Sequence, residues 1–574
     1  MAEGPAELLQ SDGLQPGHDI FCTPHNDAFH ATTLYSALDA AQQEIRLVRL
    51  WPGTGDDVIE CTLLPGAPLR DLKGQYTAPS YCAGSAKNTE PIILNGTPFN
   101  VFANLAHALR EVRHFWSTTY GDRECLLWID QISINQYDIH ERTRQVRFMR
   151  EIYQCAEQVL VCLSTEEADP RGMYWLNQLA KDVRPRDIDT VSKKISMSLY
   201  DEADDEQRAK MIEIDHRHRI EEHFRRSSSN VDFIEGWLAS YEIIEAPWFA
   251  RAWVLQEFIV AANVYFMYSG ASASWKAFLP VWRVMSSTYL SRLDRNIHRL
   301  IWDDRHSGLP QRQNLQKILV DIRGGDLKGY MAEAIFTIDS KTHSRHNQDL
   351  KELLAHSRHR NTSDPRDKIF AYIGLANPAY GIVPDYSHPI DRVLLETTVK
   401  IIETENSLDI LWHAAASETQ HTASLPSWVV DWRCKQDPYA PAKPYTSSLE
   451  KAEANVSFHT IATARGISQA LQVDGVFIAR LDEDTRRMIL NPRYLYSCSR
   501  DIRGACSRHS RRGDEMWVLR GCNLPLILRF QEEHAYTLVS AVDYGRASPE
   551  CPSLESLVRH NEKKQGGWRS MYII

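Results

Sequence analysis

The 574-residue chain carries 65 Lys+Arg against 75 Asp+Glu, a net charge of −10, which is too acidic for a general nucleic-acid coat protein. Its 27 Gly, 26 Pro and 15 Trp exclude collagen, coiled coil and whole-chain disorder, and the length allows about three to five domains or fewer large ones. Eleven cysteines without a Cys-x-x-Cys suit reduced thiols in a cytosolic protein better than a disulfide frame or a zinc site.

Residues 1–30 are rich in Gly, Pro, Asp and Gln and read as a loose lead, with no basic region and apolar run to mark a secretory signal. From Ile45 to Leu64 the pattern predicts two strands around a Pro-Gly turn, and Tyr76–Cys82 a third. Asn100 is placed to cap a helix whose apolar face is Val101, Leu105, Ala108, Leu109, Val112 and Trp116. Cys125–Ile129 reads as a strand buried on both faces, closed by Asp130. Asp138-x-x-Glu141 resembles a capping box ahead of the stripe Val146, Met149, Ile152, Tyr153 and Ala156. Val159–Leu163 is again a buried strand. This alternation predicts an open α/β sheet.

Residues 165–235, with the acidic run Asp201–Glu206 and a mixed-charge segment after it, predict a solvated helical insertion or a mobile loop. Helical character returns at Phe233–Ile244 and continues to about residue 415. Beyond Leu425 short apolar runs predict a β-rich part, clearest as a hairpin of Glu515–Leu519 and Leu524–Phe530 about Gly521–Asn523. The longest apolar stretch, Ala252–Tyr268, is interrupted by Gln256, Glu257 and Asn263 and is too short to span a membrane.

Five segments together resemble the fungal heterokaryon-incompatibility (HET) domain proteins: Tyr76-TAPSYCAG, Trp128-IDQISINQYDIHERTRQVRFMREIYQCA, Pro247-WFARAWVLQE, Asp364-PRDKIFAYIGLA and Leu425-PSWVVDW. The spacing of Asp130, Asn135-Gln136, Glu141-Arg142, Gln145, Met149 and Tyr153 carries most of the likeness. Three positions depart from it: Pro79 stands where Leu is usual, Ala83 where Trp is usual, and Ser133 where Cys is usual. The resemblance implies non-self recognition and programmed cell death, and a domain similar to TIR domains, some of which cleave NAD. It therefore implies an open, mostly parallel, TIR/flavodoxin-like sheet. The expected organisation is a lead with a hairpin over 1–72, the HET domain over 73–258, a helical region over 259–424 and a β-rich part over 425–574.

Within Trp253-Val-Leu-Gln-Glu257 the two end residues share a helical face, and a carboxylate in so apolar a segment must be paired or functional. TIR-type NAD hydrolases look similar here, with a Trp four residues before the catalytic Glu. Glu257 is thus the catalytic candidate, weighed against a structural pairing with Arg251. Asp130, at a strand end, could hydrogen-bond a ribose, although a bond to its own loop is the favoured reading. Ser80, Tyr81 and Gly84, at the end of the first motif strand, are nucleotide-contact candidates together with Trp253. Cys82 lacks a recognisable base and is discounted as a nucleophile. Asn135, Gln136, Glu141 and Arg142 read as scaffold before ligand contact, and the Arg142, Arg144, Arg147 and Arg150 face as solvated. His216, His218 and His223 lack metal-ligand spacing, and no metal or bound cofactor is expected, with NAD as substrate only.

The expected partners are a second copy of the chain and an incompatibility partner protein, with no nucleic acid, and the expected location is the cytoplasm. The alternatives are a non-catalytic signalling and assembly module of the same family, or a decayed paralogue.

Overall fold

The computed structural model describes residues 35–184, 205–278, 337, 349–437, 453–481, 494–544 and 554–574, apart from 56, 86, 167, 228–229, 377–379, 419–424, 464–465, 500–501, 507–508 and 533. The expected loose lead, the acidic run at 201–204 and the helical stretch over 279–348 therefore fall outside the described residues, save Thr337. The chain divides into two compact units, 1–345 and 346–574.

The first unit is built on a nine-stranded sheet. Its strands are β2 (Val48–Leu50), β3 (Glu60–Leu63), β5 (Thr77–Ser80), β6 (Thr89–Leu94), β7 (Thr97–Phe102), β8 (Cys125–Leu127), β9 (Gln158–Cys162), β10 (Val264–Tyr268) and β11 (Ala271–Ser274). Two further short strands, β1 (Glu44–Ile45) and β4 (Ala67–Pro68), pair with each other. The sheet order is β11-β10-β9-β5-β8-β2-β3-β6-β7. The expected mostly parallel sheet is parallel only across β8-β5-β9-β10 and between β3 and β6. Every other pairing is antiparallel, so the sheet is mixed.

Alternation along β9 explains the layering, since successive side chains leave a strand on opposite faces. Val159 and Val161 pack with Ile152, Tyr153, Leu176, Val254 and Phe258 on one face. Leu160 and Cys162 pack with Leu105, Leu109, Val112 and Trp116 on the other. Helix α1 (Ala103–Tyr120) covers that second face. Helices α2 (Ile139–Arg147) and α3 (Met149–Cys155) lead to the first face, with α4 (Arg171–Asp182), α5 (Asp205–Ser227), α6 (Val231–Ile244) and α7 (Val254–Val260) beyond them.

Several expectations are corrected. Asn100 is a β7 residue, and α1 begins after Phe102 without a side-chain cap. The stripe Val146–Ala156 is two helices interrupted at Phe148. The insertion is not merely solvated: Ile220 and Phe224 join the core, and Trp175, Phe224 and Phe233 pack ring against ring, with Phe224 also against Trp237 just beyond the insertion. Gly172 of α4 lies so near α6 that a Cβ there would come within 2.5 Å of the Ala239 carbonyl oxygen. Residues 264–268 and 271–274, inside the span expected to be helical, are strands.

In the second unit, helices α8 (Leu350–Ser357), α9 (Asp367–Ile373), α10 (Ile390–Glu405) and α11 (Leu411–Ala415) precede a β-rich part that includes α12 (Leu554–Gln565) ahead of its last strand. There β12 (Ser457–Thr463) pairs with β13 (Gly466–Arg480), and β14 (Tyr494–Ser499), β15 (Ile502–Cys506) and β19 (Asp543–Tyr544) pair in a separate sheet. Strands β13, β16 (Glu515–Leu519), β17 (Pro525–Glu532), β18 (Ala535–Ala541) and β20 (Arg569–Ile573) close on themselves, because β20 pairs with both β18 and β13. The expected hairpin is β16–β17. The two family-like segments in this unit are linked through Arg358, which lies outside both at the end of α8: it donates to the Cys434 and His413 carbonyls and lies 4.8 Å over the Trp432 ring. Lys368 of α9 donates to the Ser357 and Arg358 carbonyls that end α8. Among the described residues no helix is long and apolar enough to cross a membrane.

Candidate functional site

The four parallel strands run β5, β8, β9, β10 in the chain but lie in the order β8-β5-β9-β10. In such sheets ligands gather outside the carboxyl ends of the strands, where the order reverses. Ser80 closes β5 and Tyr81 follows it. The β5–β8 ladder ends at Thr77↔Leu127, with the Trp128 N–H on the Thr77 carbonyl at 3.0 Å. Alternate residues turn their peptide groups to opposite neighbours, so Pro79 faces β8 where β8 has already ended, and its missing N–H loses no ladder bond. The two strand ends part there, and Tyr81 and Asp130 occupy the gap.

The chain after β8 makes one helical turn, Asp130–Ser133, in which Ser133 Oγ accepts the Ile129 N–H at 3.0 Å. Asp130 Oδ1 accepts the Tyr81 hydroxyl at 2.9 Å and the Gln131 N–H at 2.8 Å. The Gln136 amide donates to the Asp130 carbonyl at 2.8 Å. Asp138 caps α2 through the His140 and Glu141 N–H groups, but Glu141 does not reach back to complete a capping box. Its carboxylate takes both Arg46 guanidinium nitrogens, at 2.7 and 3.0 Å, and the Asn135 N–H at 2.7 Å. Arg46 also donates to the Ser133 carbonyl at 3.1 Å. With both side chains buried, this pair holds the loop that carries Asp130, a scaffold role as expected for Glu141.

Glu257 lies in the first turn of α7 and is 3% exposed. Its Oε2 accepts the Ser80 hydroxyl. Ser80 Oγ in turn accepts the Trp248 indole N–H at 2.7 Å. Arg251 donates to the Tyr81 carbonyl, and the Tyr153 hydroxyl donates to that of Pro79 at 3.4 Å. The Glu257 carboxyl is raised to about 7: burial is the largest cause, Arg251 and the Ser80 bond oppose it, and Asp130 adds to it. Burial and the Asp130 carboxylate drive the Tyr81 phenol well above its ordinary value. Burial works against the charge on Arg251, but Glu257, Cys82 and Asp130 outweigh it and raise the guanidinium's pKa.

Ser80, Tyr81, Asp130 and Glu257 therefore meet in one cluster. Gly84 stands at φ +80°, and a Cβ there would come within 2.7 Å of the Asn104 amide nitrogen, which donates to the Cys82 carbonyl at 2.9 Å. Trp253 is half-buried and packs against the apolar core, while Ala83 packs against the α1 side. In the sequence Trp248 stands out only within a family-like segment, and Tyr153 only in the family-like spacing and an apolar stripe; neither has a local signal for its partner. Elsewhere, Arg142, Arg144 and Arg150 are half-buried and Arg147 exposed. The buried His216 ring bonds the Val183 carbonyl at 2.6 Å, and His223 lies against Phe233. Among the described residues no group of His, Cys, Asp and Glu converges to hold a metal.

Such a cluster can present an oriented negative charge, tunable near neutral pH, beside a guanidinium and two phenols. Residues 76–257 match the family model described as "Heterokaryon incompatibility protein (HET)". The chain is similar to "Heterokaryon incompatibility protein 6, OR allele" of Neurospora crassa, at 26% identity over 453 residues, 71% of this chain and 61% of that protein. It thus spans about three fifths of that relative's length. No solved structure matches it. The span of the family match begins at the entry to β5 and ends at Glu257, so the cluster lies wholly inside it, and residues 76–257 of the chain are a heterokaryon incompatibility (HET) domain.

Proposed function

We propose that the chain acts in fungal heterokaryon incompatibility, as the name of its Neurospora relative suggests, and that its HET domain cleaves the nicotinamide–ribose bond of NAD with Glu257 as the catalytic carboxylate. The observation that carries this reading is the convergence of Glu257, Ser80, Tyr81 and Asp130 at the carboxyl ends of β5 and β8, beside the reversal of strand order. The likeness to TIR domains enters here as support for the same chemistry. Nicotinamide leaves as a neutral ring, so no general acid is needed. What the reaction requires is a preorganised negative charge beside an oxocarbenium-like ribose. Glu257 supplies that charge, Asp130 and Tyr81 orient ribose hydroxyls, and Arg251 balances the buried charge. The Arg251 hold on the Tyr81 carbonyl opens to admit the substrate.

Nicotinamide release from NAD by the purified full chain tests this. The wild type is expected to release nicotinamide and a folded Glu257→Gln variant to release none. Equal release by both would remove Glu257 from the chemistry.

The near-complete burial of Glu257 favours a second reading, a non-catalytic module that signals by assembling with partner domains. On that reading wild type and variant alike leave NAD intact, and the variant loses stability.

A further inference from the structure

The sequence marks Ser80 as a nucleotide contact, but the residue is 1% exposed and its hydroxyl is committed at both ends. An indole N–H can only donate, so the 2.7 Å contact from Trp248 makes Ser80 Oγ an acceptor. A serine hydroxyl has one hydrogen, and here it points to Glu257 Oε2. With Glu257 ionised and able only to accept, the direction of the chain Trp248, Ser80, Glu257 is therefore fixed at every link. Trp248 has no freedom to leave: it is fully buried, and its ring is packed edgewise against Phe249, Phe258 and Phe266.

We propose that Ser80 and Trp248 are positioning residues: the indole locks the serine hydroxyl onto Glu257 and so holds the carboxylate aimed at the reacting bond. This rests on the NAD reading for its purpose, but not for its test. A bond donated to a carboxylate favours the ionised form, and polarisation along a donor chain strengthens its last link. The other groups acting on Glu257 are Arg251, which also favours the ionised form, and Asp130, which opposes it; Tyr81 and Tyr153 lie in the same field. None of these is altered by changing Ser80 or Trp248.

The test follows the infrared carboxylic C=O band of Glu257 through a pH titration of the full chain, with Glu257→Gln subtracted to assign it. Ser80→Ala is expected to raise the midpoint by about one pH unit or more, and Ser80→Thr, which keeps the hydroxyl, to restore it. Trp248→Phe keeps an aromatic ring among Phe249, Phe258 and Phe266 and removes the indole N–H together with the second ring. It is expected to move the midpoint the same way by less, and it serves where Ser80→Ala fails to fold. With NAD, the same variants lower kcat with KM little changed, and their acid limb moves to higher pH. An unmoved midpoint in either folded variant overturns the proposal. A wild type without nicotinamide release defeats the NAD reading alone, because the infrared midpoint does not depend on turnover.

Discussion

Glu257→Gln separates a functional carboxylate from a scaffolding one by stability alone. The Glu257 carboxyl is raised from its ordinary 4.5 to about 7, so the native state binds the proton more tightly than the unfolded chain. Stability from this group is therefore full below about pH 4.5 and is lost as pH rises through about 7. At about 1.36 kcal/mol per pH unit, the loss is about 1 kcal/mol at pH 5 and about 3 kcal/mol at pH 8. Glutamine has no proton to lose, keeps nearly the same shape, and its amide oxygen still accepts from Ser80. The variant should thus gain about 2 kcal/mol on the wild type between pH 5 and pH 8, read as the difference in urea unfolding of the full chain at the two pH values. A residue that works best when destabilising its own fold has a function to serve. A variant weaker than wild type by about 3–5 kcal/mol at both pH values would refute this reasoning, because that is the signature of a broken buried ion pair.

Two further perturbations test the frame around the site. Arg46→Met leaves the buried Glu141 carboxylate without its guanidinium and should cost about 3–5 kcal/mol in urea unfolding; replacing both partners by apolar groups should cost much less. Gly172→Ala forces a methyl against the Ala239 backbone, which cannot turn aside as a side chain can, and should cost about 1–3 kcal/mol, read as a lowered thermal midpoint.

Local pattern carried much of the first unit. The buried strands at 77–80, 125–127 and 158–162 were legible because a run apolar on both faces has few other uses. The β6–β7 hairpin is encoded too: its turn is Asn95-Gly96, both at positive φ, the strongest short-range hairpin signal there is. Asn100 competes with that signal, because Asn ahead of an apolar stripe also fits a helix cap. Ala252–Tyr268 is a harder case, since α7 and β10 are both short and apolar, and periodicity cannot tell such runs apart. At the site, Glu257 stood out as a carboxylate in apolar company. Its partners did not, because Ser80 lies 177 residues away and Trp248 meets Ser80 across 168, and no local pattern encodes such meetings. The antiparallel pairing of β2 with β8 is hidden for the same reason.

That pairing bears on how the protein can be cut. Strands β2 and β3 precede residue 76, where the family match begins, yet they sit mid-sheet, wedged between β8 and β6; β10 and β11 come after residue 257 and complete the opposite margin. A clone trimmed to the matched span would tear a keystone from the arch and leave raw strand margins ready to stick to other chains. The smallest piece of this gene worth expressing starts upstream of Arg46 and runs past Ser274.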